Sequence, residues 1–184
     1  MTSTQKIQAA LKEAGELAIV KYPDARLQQL CTPIDDFGTP ELAELVDRMK
    51  VVMVQAKGAG LAANQVGVTV RLFVASGGAQ EEVRAYINPR MVAVEGAQEE
   101  EEGCLSLPGI FTRIRRSAKV TIEARDVQGT VFQETGEELL ARAFEHEIDH
   151  LDGRIIVDRM GSVARLAHRR ALKQLEAKHT SRQT

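Results

Sequence analysis

With 184 residues the chain has the length of one ordinary domain and can bury a substantial core. Its 24 basic and 26 acidic side chains leave a formal charge of −2, which argues against broad nucleic-acid binding and specific DNA recognition. No apolar run is long enough to span a membrane, and residues 1–15 lack arginine, which disfavours a transit peptide. A cytoplasmic protein is the simplest reading; a trimmed organellar one is the alternative.

Cys31 stands alone in an extended stretch and reads as a small buried hydrophobe. Residues 39–57 carry an amphipathic helix pattern, followed by the segment GAGLAANQVG from Gly58 to Gly67. Its spacing is not that of a phosphate loop, and no Lys-Ser/Thr follows. Small residues here would let a backbone approach a ligand closely, and Gln65 offers an amide donor. The same segment also reads as a plain tight turn. Strand-like runs follow at 70–75, 83–87, 91–95, 110–114, 118–124 and 130–134. A block of strands between helices predicts an α+β fold, with mixed or antiparallel sheets packed around a central helix and a C-terminal helix beyond. No repeat or linker divides the chain, so one domain over 1–184 is expected.

Cys104 lies in a short turn-bounded segment and is one of two cysteines. Without a multi-cysteine framework a structural disulfide is not expected, and a thiolate ligand or a reactive thiol becomes plausible. The acidic run from Glu99 to Glu102 reads as a solvated approach to that segment rather than a second metal site.

Residues 136–153 predict a helix ended by Gly153. At about 100° per residue, Leu140, Phe144, Ile148 and Leu151 form an apolar stripe. Leu139, Ala143, His146, Glu147 and His150 form a second face roughly opposite. A helix apolar on two sides is normally sandwiched, so the second face looks into an enclosed space. His146 and His150, four residues apart, can offer two imidazoles to one cation, and Glu147 sits beside them as a general base for water. The third ligand decides the chemistry. The position six past His150 is Ile156, which excludes the three-histidine form of this motif. A downstream glutamate would have to be Glu176, in a polar basic segment, and would mark a protease. Cys104 is the better donor, because two imidazoles and a thiolate leave a fourth position open.

The tail from 161 to 184 sets Arg165, Arg169, Arg170, Lys173, Lys178 and Arg182 against Glu176 alone among acids. One reading is an amphipathic closing helix packed through Val163, Leu166, Leu172 and Leu175.

Together GAGLAANQ, EGCLS and HEIDH, in that order, make the chain resemble the peptide deformylases. The flanks Tyr22-Pro23-Asp24, Ile87-Asn88-Pro89 and Leu151-Asp152-Gly153 fit as well, and the likeness covers about 19–160, with a basic C-terminal helix at about 161–180. The resemblance implies a hydrolase that removes the formyl group from the N-terminal formylmethionine of new polypeptides. It implies Cys104, His146 and His150 as metal ligands, Glu147 as general acid/base, and the Gln65 amide and Leu105 N–H as holders of the carbonyl oxygen. The implied metal is Fe2+, with Ni2+, Co2+ or Zn2+ able to substitute. Gly60 and its neighbours would let the formylmethionyl peptide run as an extended strand, and Ala59, Leu139 and Ala143 would line the methionine pocket. The tail would dock on the ribosome. Phe111 stands where some relatives carry an arginine that meets the substrate backbone, leaving Arg113, Arg115 or Arg116 to replace it. Glu145 replaces a common glutamine, off the ligand face and with little expected effect.

Overall fold

Thr39 starts the first long helix: its side chain accepts a hydrogen bond from the Leu42 N–H, and Pro40 follows where a missing N–H costs nothing. The computed structural model describes residues 1–13, 17–78 and 81–183. In it, α1 (Ser3–Glu13) packs on α2 (Pro40–Gln55). The α2 residues Leu42, Leu45, Val46, Met49 and Met53 recur at helical spacing and are buried as one stripe. The helix stops at Lys57, which takes the left-handed conformation common after a helix end (φ 56°).

A five-stranded antiparallel sheet runs in the order β1 (Gly60–Ala62), β2 (Leu72–Ala75), β3 (Arg84–Glu95), β6 (Lys119–Arg125), β7 (Val131–Glu137). β4 (Gln98–Gly103) and β5 (Phe111–Arg116) form a separate antiparallel pair. Period-two alternation along β2 divides the core. Leu72 and Val74 join the α2 cluster, whereas Phe73 and Ala75 join the cluster under α3 (Glu138–Leu151). In that second cluster Phe73 stacks on Tyr86 at 4.7 Å, and Phe144 meets the edge of Tyr86 at 5.2 Å. Each such ring contributes roughly 1.5–3 kcal/mol through burial. The helix α3 thus lies against the five-stranded sheet through the predicted stripe Phe144, Ile148 and Leu151, with Leu140 half-buried beside it. A short α4 (Ile156–Arg159) and the long α5 (Ser162–Gln183) close a third cluster around Leu27, Cys104, Leu107 and Ile110.

The α+β class and the closing helix stand as the sequence predicts, and so does the end of α3, where Gly153 is left-handed (φ 73°). Four details differ. The runs at 83–87 and 91–95 are one strand, interrupted in register at Asn88 (φ 51°) rather than broken. Gly136 belongs to β7, and α3 starts at Glu138. The acidic run is β4, a strand, because its backbone pairs with β5 from Gln98 to Gly103. Finally, α5 packs through Leu172 and Leu175, while Val163 and Leu166 are 82% and 69% exposed. Thr184 and the Arg182 side chain, both counted in the basic tail, lie outside the described residues. No helix of the described residues is long and apolar enough to cross a membrane.

Candidate metal centre

α3 carries His146 and His150 one turn apart, with ring centroids separated by 5.0 Å. Cys104 follows β4 directly, in a turn closed by the Leu107 N–H donating to the Cys104 carbonyl (2.9 Å). Its sulfur lies 3.3 Å from His150 Nε2. One ligand atom from each of Cys104, His146 and His150 falls within 4.8 Å of the others, and no other such group of three occurs among the described residues. The donors fit a divalent cation: one cysteine sulfur and two imidazoles are three protein ligands, the number a catalytic site uses when it keeps a fourth position for water or substrate. Burial, with His146 alongside, holds His150 well below its ordinary pKa, so its ring is neutral and has a lone pair to offer.

His146 is oriented from behind. Its Nδ1 lies 3.2 Å from Glu102 Oε2, leaving the other ring nitrogen for the cluster. Glu102 in turn accepts from Arg116 Nε and Nη2 at 3.0 and 3.1 Å, and Arg116 Nη1 donates to Asp149 at 2.6 Å. Asp149 also accepts from Arg159. This buried network was not foreseen, and two expectations fall with it. Glu102 is no solvated approach residue, because it is buried at the end of β4 between His146 and Arg116. Arg116 cannot replace a substrate-contacting arginine, because it is buried between two carboxylates. Its neighbours Arg113 and Arg115 fall on the exposed face of β5 and do not line the cavity described below.

Glu147 is buried beside the cluster, and its Oε2 has no hydrogen-bond partner among the described residues. Burial pushes its carboxyl up to about 7. Gly60 presses on it so closely that a Cβ there would stand 2.5 Å from Glu147 Oε1. The segment GAGLAANQ is therefore more than a turn: it makes the edge strand β1 and then a 3-10 turn that buries Gln65. Gln65 Oε1 accepts from the Ala62 N–H (2.8 Å), which aims its Nε2 at Ser106 Oγ (3.2 Å) and Cys104 Sγ (3.5 Å). Asn64 Nδ2 donates to the His150 carbonyl at 2.7 Å, tying this turn to the ligand helix.

The cluster opens into a cavity of about 590 Å³. Ala59, Gly60, Gln65, Cys104, Leu105, Leu139, Ala143, His146 and Glu147 all line it, so the structure gathers the predicted residues in one place. His150 stands behind, almost fully buried. Phe111 lines the cavity too, its ring lying over Gly103, where a Cβ would meet it at 2.7 Å. The cations on the wall are Lys21, Lys57 and Arg142, which sequence reading did not single out. Glu145 stays off the wall and accepts from the Ser117 N–H at 2.7 Å. Glu176, the protease-type alternative ligand, instead accepts from the Tyr22 hydroxyl at 3.0 Å.

Fold and site together define a metal-dependent hydrolase. The family model for polypeptide deformylase matches residues 16–166. The peptide deformylase of Acidobacterium capsulatum is 46% identical over 161 residues, covering 86% of this chain and 94% of that protein. That of Hydrogenovibrio crunogenus is 38% identical, covering 82% and 89%. Among solved structures, a Legionella pneumophila peptide deformylase superposes with a TM-score of 0.82 at 38% identity, covering 90% of this chain and 98% of that one. Arabidopsis thaliana peptide deformylase 1B gives 0.85 at 37% identity, covering 89% and 92%. The chain belongs to the polypeptide deformylase family, and its reaction is the family's removal of the N-formyl group from nascent peptides.

Proposed function

We propose that Cys104, His146 and His150 hold one divalent cation, that Glu147 is the general acid/base, and that the Gln65 amide and Leu105 N–H hold the developing oxyanion. The convergence of three ligand atoms within 4.8 Å, in a cavity that Glu147 also lines, carries this reading. When bound, the cation supplies a Lewis acid that polarises the formyl carbonyl and lowers the pKa of water. Glu147 takes a proton as water adds to the formyl carbon. Gln65, fixed by the Ala62 N–H, donates to the oxygen on which negative charge develops, and such prepositioned donors are typically worth about 3 kcal/mol each. Glu147 then returns the proton to the amine nitrogen as the C–N bond breaks and formate departs. Ala59, Leu139 and Ala143 receive the methionine side chain, and the substrate runs along Gly60.

We assign Fe2+ as the native metal, with Ni2+, Co2+ or Zn2+ as substitutes; a thiolate with imidazoles suits all four. Cys104→Ser should lower metal affinity and shift metal preference toward harder ions, whereas Glu176→Ala should leave metal content untouched. Metal analysis of both purified variants decides it, and loss of metal in Glu176→Ala alone would restore the protease reading. The whole chain, 1–184, is taken as one deformylase-like domain acting in the cytoplasm.

The partner read from the tail is the ribosome. Arg169, Arg170, Lys173 and Lys178 are exposed along α5, while Arg165 turns back to donate to the Val157 carbonyl. Truncation after Met160 would also strip Leu172 from the core and remove the Tyr22–Glu176 hydrogen bond, so charge reversal is the cleaner test. Changing Arg169, Arg170 and Lys173 together to Glu should abolish salt-sensitive cosedimentation with ribosomes while short-peptide turnover persists. Cosedimentation at the wild-type level would reject the docking role.

A further inference from the structure

We propose that Lys57 gives this enzyme a preference for formyl peptides with acidic side chains at the third and fourth residues. This rests on the reading of the cavity as the peptide site. Among the described residues β1 ends the five-stranded sheet and pairs with β2 alone, and the segment Gly58–Gly60 lines the cavity, so an extended peptide can add to it as a further strand. The contact between Gly60 and the Glu147 carboxyl fixes the reacting end there. Onward from Gly60, the residues Leu61, Ala62 and Ala63 are fully buried and leave a peptide no path. Backward, Ala59 and Gly58 are half-buried and Lys57 is exposed. A peptide whose first residue lies at Gly60 therefore leaves antiparallel to β1. At roughly 3.3 Å per residue, its second and third residues pass Ala59 and Gly58, and its fourth leaves the cavity beside Lys57, where the chain turns into the end of α2.

The charges at that exit favour an acid. Of the three cations on the wall, Lys21 donates to the Leu105 carbonyl at 2.6 Å and Arg142 to Gln98 Oε1 at 3.0 Å. Lys57 makes no ion pair among the described residues. The exposed acid on the wall, Glu101, stands opposite Arg113 in the β4–β5 register. Lys21 and Arg142 are held by neutral acceptors elsewhere on the wall, and Lys57 is the wall cation on the segment the departing peptide follows.

The test compares kcat/KM of the metal-loaded enzyme on three amidated peptides: formyl-Met-Ala-Asp-Asp, formyl-Met-Ala-Ser-Ser and formyl-Met-Ala-Lys-Lys. An exposed charge contact is modest, so the Asp-to-Lys ratio should be roughly four- to twentyfold at low salt. It should fall toward one in 1 M salt, where the Debye length is about 3 Å. Lys57→Met should also bring the ratio toward one, and Lys57→Glu should invert it. A ratio near one in the wild type, or one that Lys57→Glu leaves unchanged, overturns the proposal. The Ser-Ser peptide separates the two levels of failure. No formate from it would sink the deformylase site itself, whereas formate at equal rates from all three peptides would sink only the role of Lys57.

Discussion

Glu147→Ala is expected to bind metal at the wild-type level and to lose at least about a hundredfold in turnover, the usual scale for removing an acid/base group. The three residues grouped as able to hold a metal are Cys104, His146 and His150, so deleting the carboxylate leaves that donor set intact. What disappears is the group that must accept a proton and then return it. Burial pushes the Glu147 carboxyl up to about 7, which suits both halves of that exchange near neutral pH. Glu147→Gln keeps the shape against Gly60 but cannot carry the proton, so it should fall as far as the alanine variant. Metal content and steady-state rates on a short formylmethionyl peptide check this together. A metal-replete variant with full activity would remove Glu147 from the mechanism.

The second large effect is on stability. Arg116→Leu should destabilise the fold by about 3–5 kcal/mol, because it leaves two buried carboxylates facing each other without their cation. The guanidinium is only 3% exposed and serves Glu102 on one side and Asp149 on the other. Neither acid has ready access to water, and Arg159 compensates only Asp149. At about 2–4 °C per kcal/mol for a chain of this size, the melting temperature should drop by roughly 6–20 °C. Because Glu102 also orients His146, metal affinity should weaken by about ten- to a hundredfold. Thermal melts and metal titration of the folded variant read the two effects separately. An unchanged melting temperature would mean that the network contributes little.

The clustering of Cys104, His146 and His150 was legible because they sit in short motifs with fixed spacing: two histidines four apart on one helix, and a cysteine in a tight turn. The stripe Leu140, Phe144, Ile148 and Leu151 was equally readable, since helical periodicity alone assigns it to the core. Glu102 and Arg116 were not. In a run of four glutamates nothing local separates the one that turns inward; only its place opposite Thr112 and its contacts with His146 and Arg116 do so. Val163 and Leu166 misled for the opposite reason, since helical spacing says which residues share a face but not how far the core beneath extends. The wall cations Lys21, Lys57 and Arg142 come from three separate elements, and only the tertiary fold brings them together.

The most direct test is formate release from a short formylmethionyl peptide by protein purified anaerobically and loaded with ferrous iron. Rapid release is expected, one formate per peptide, abolished when the metal is removed and restored when it is returned. No formate from folded, metal-loaded protein would contradict the assignment of this site.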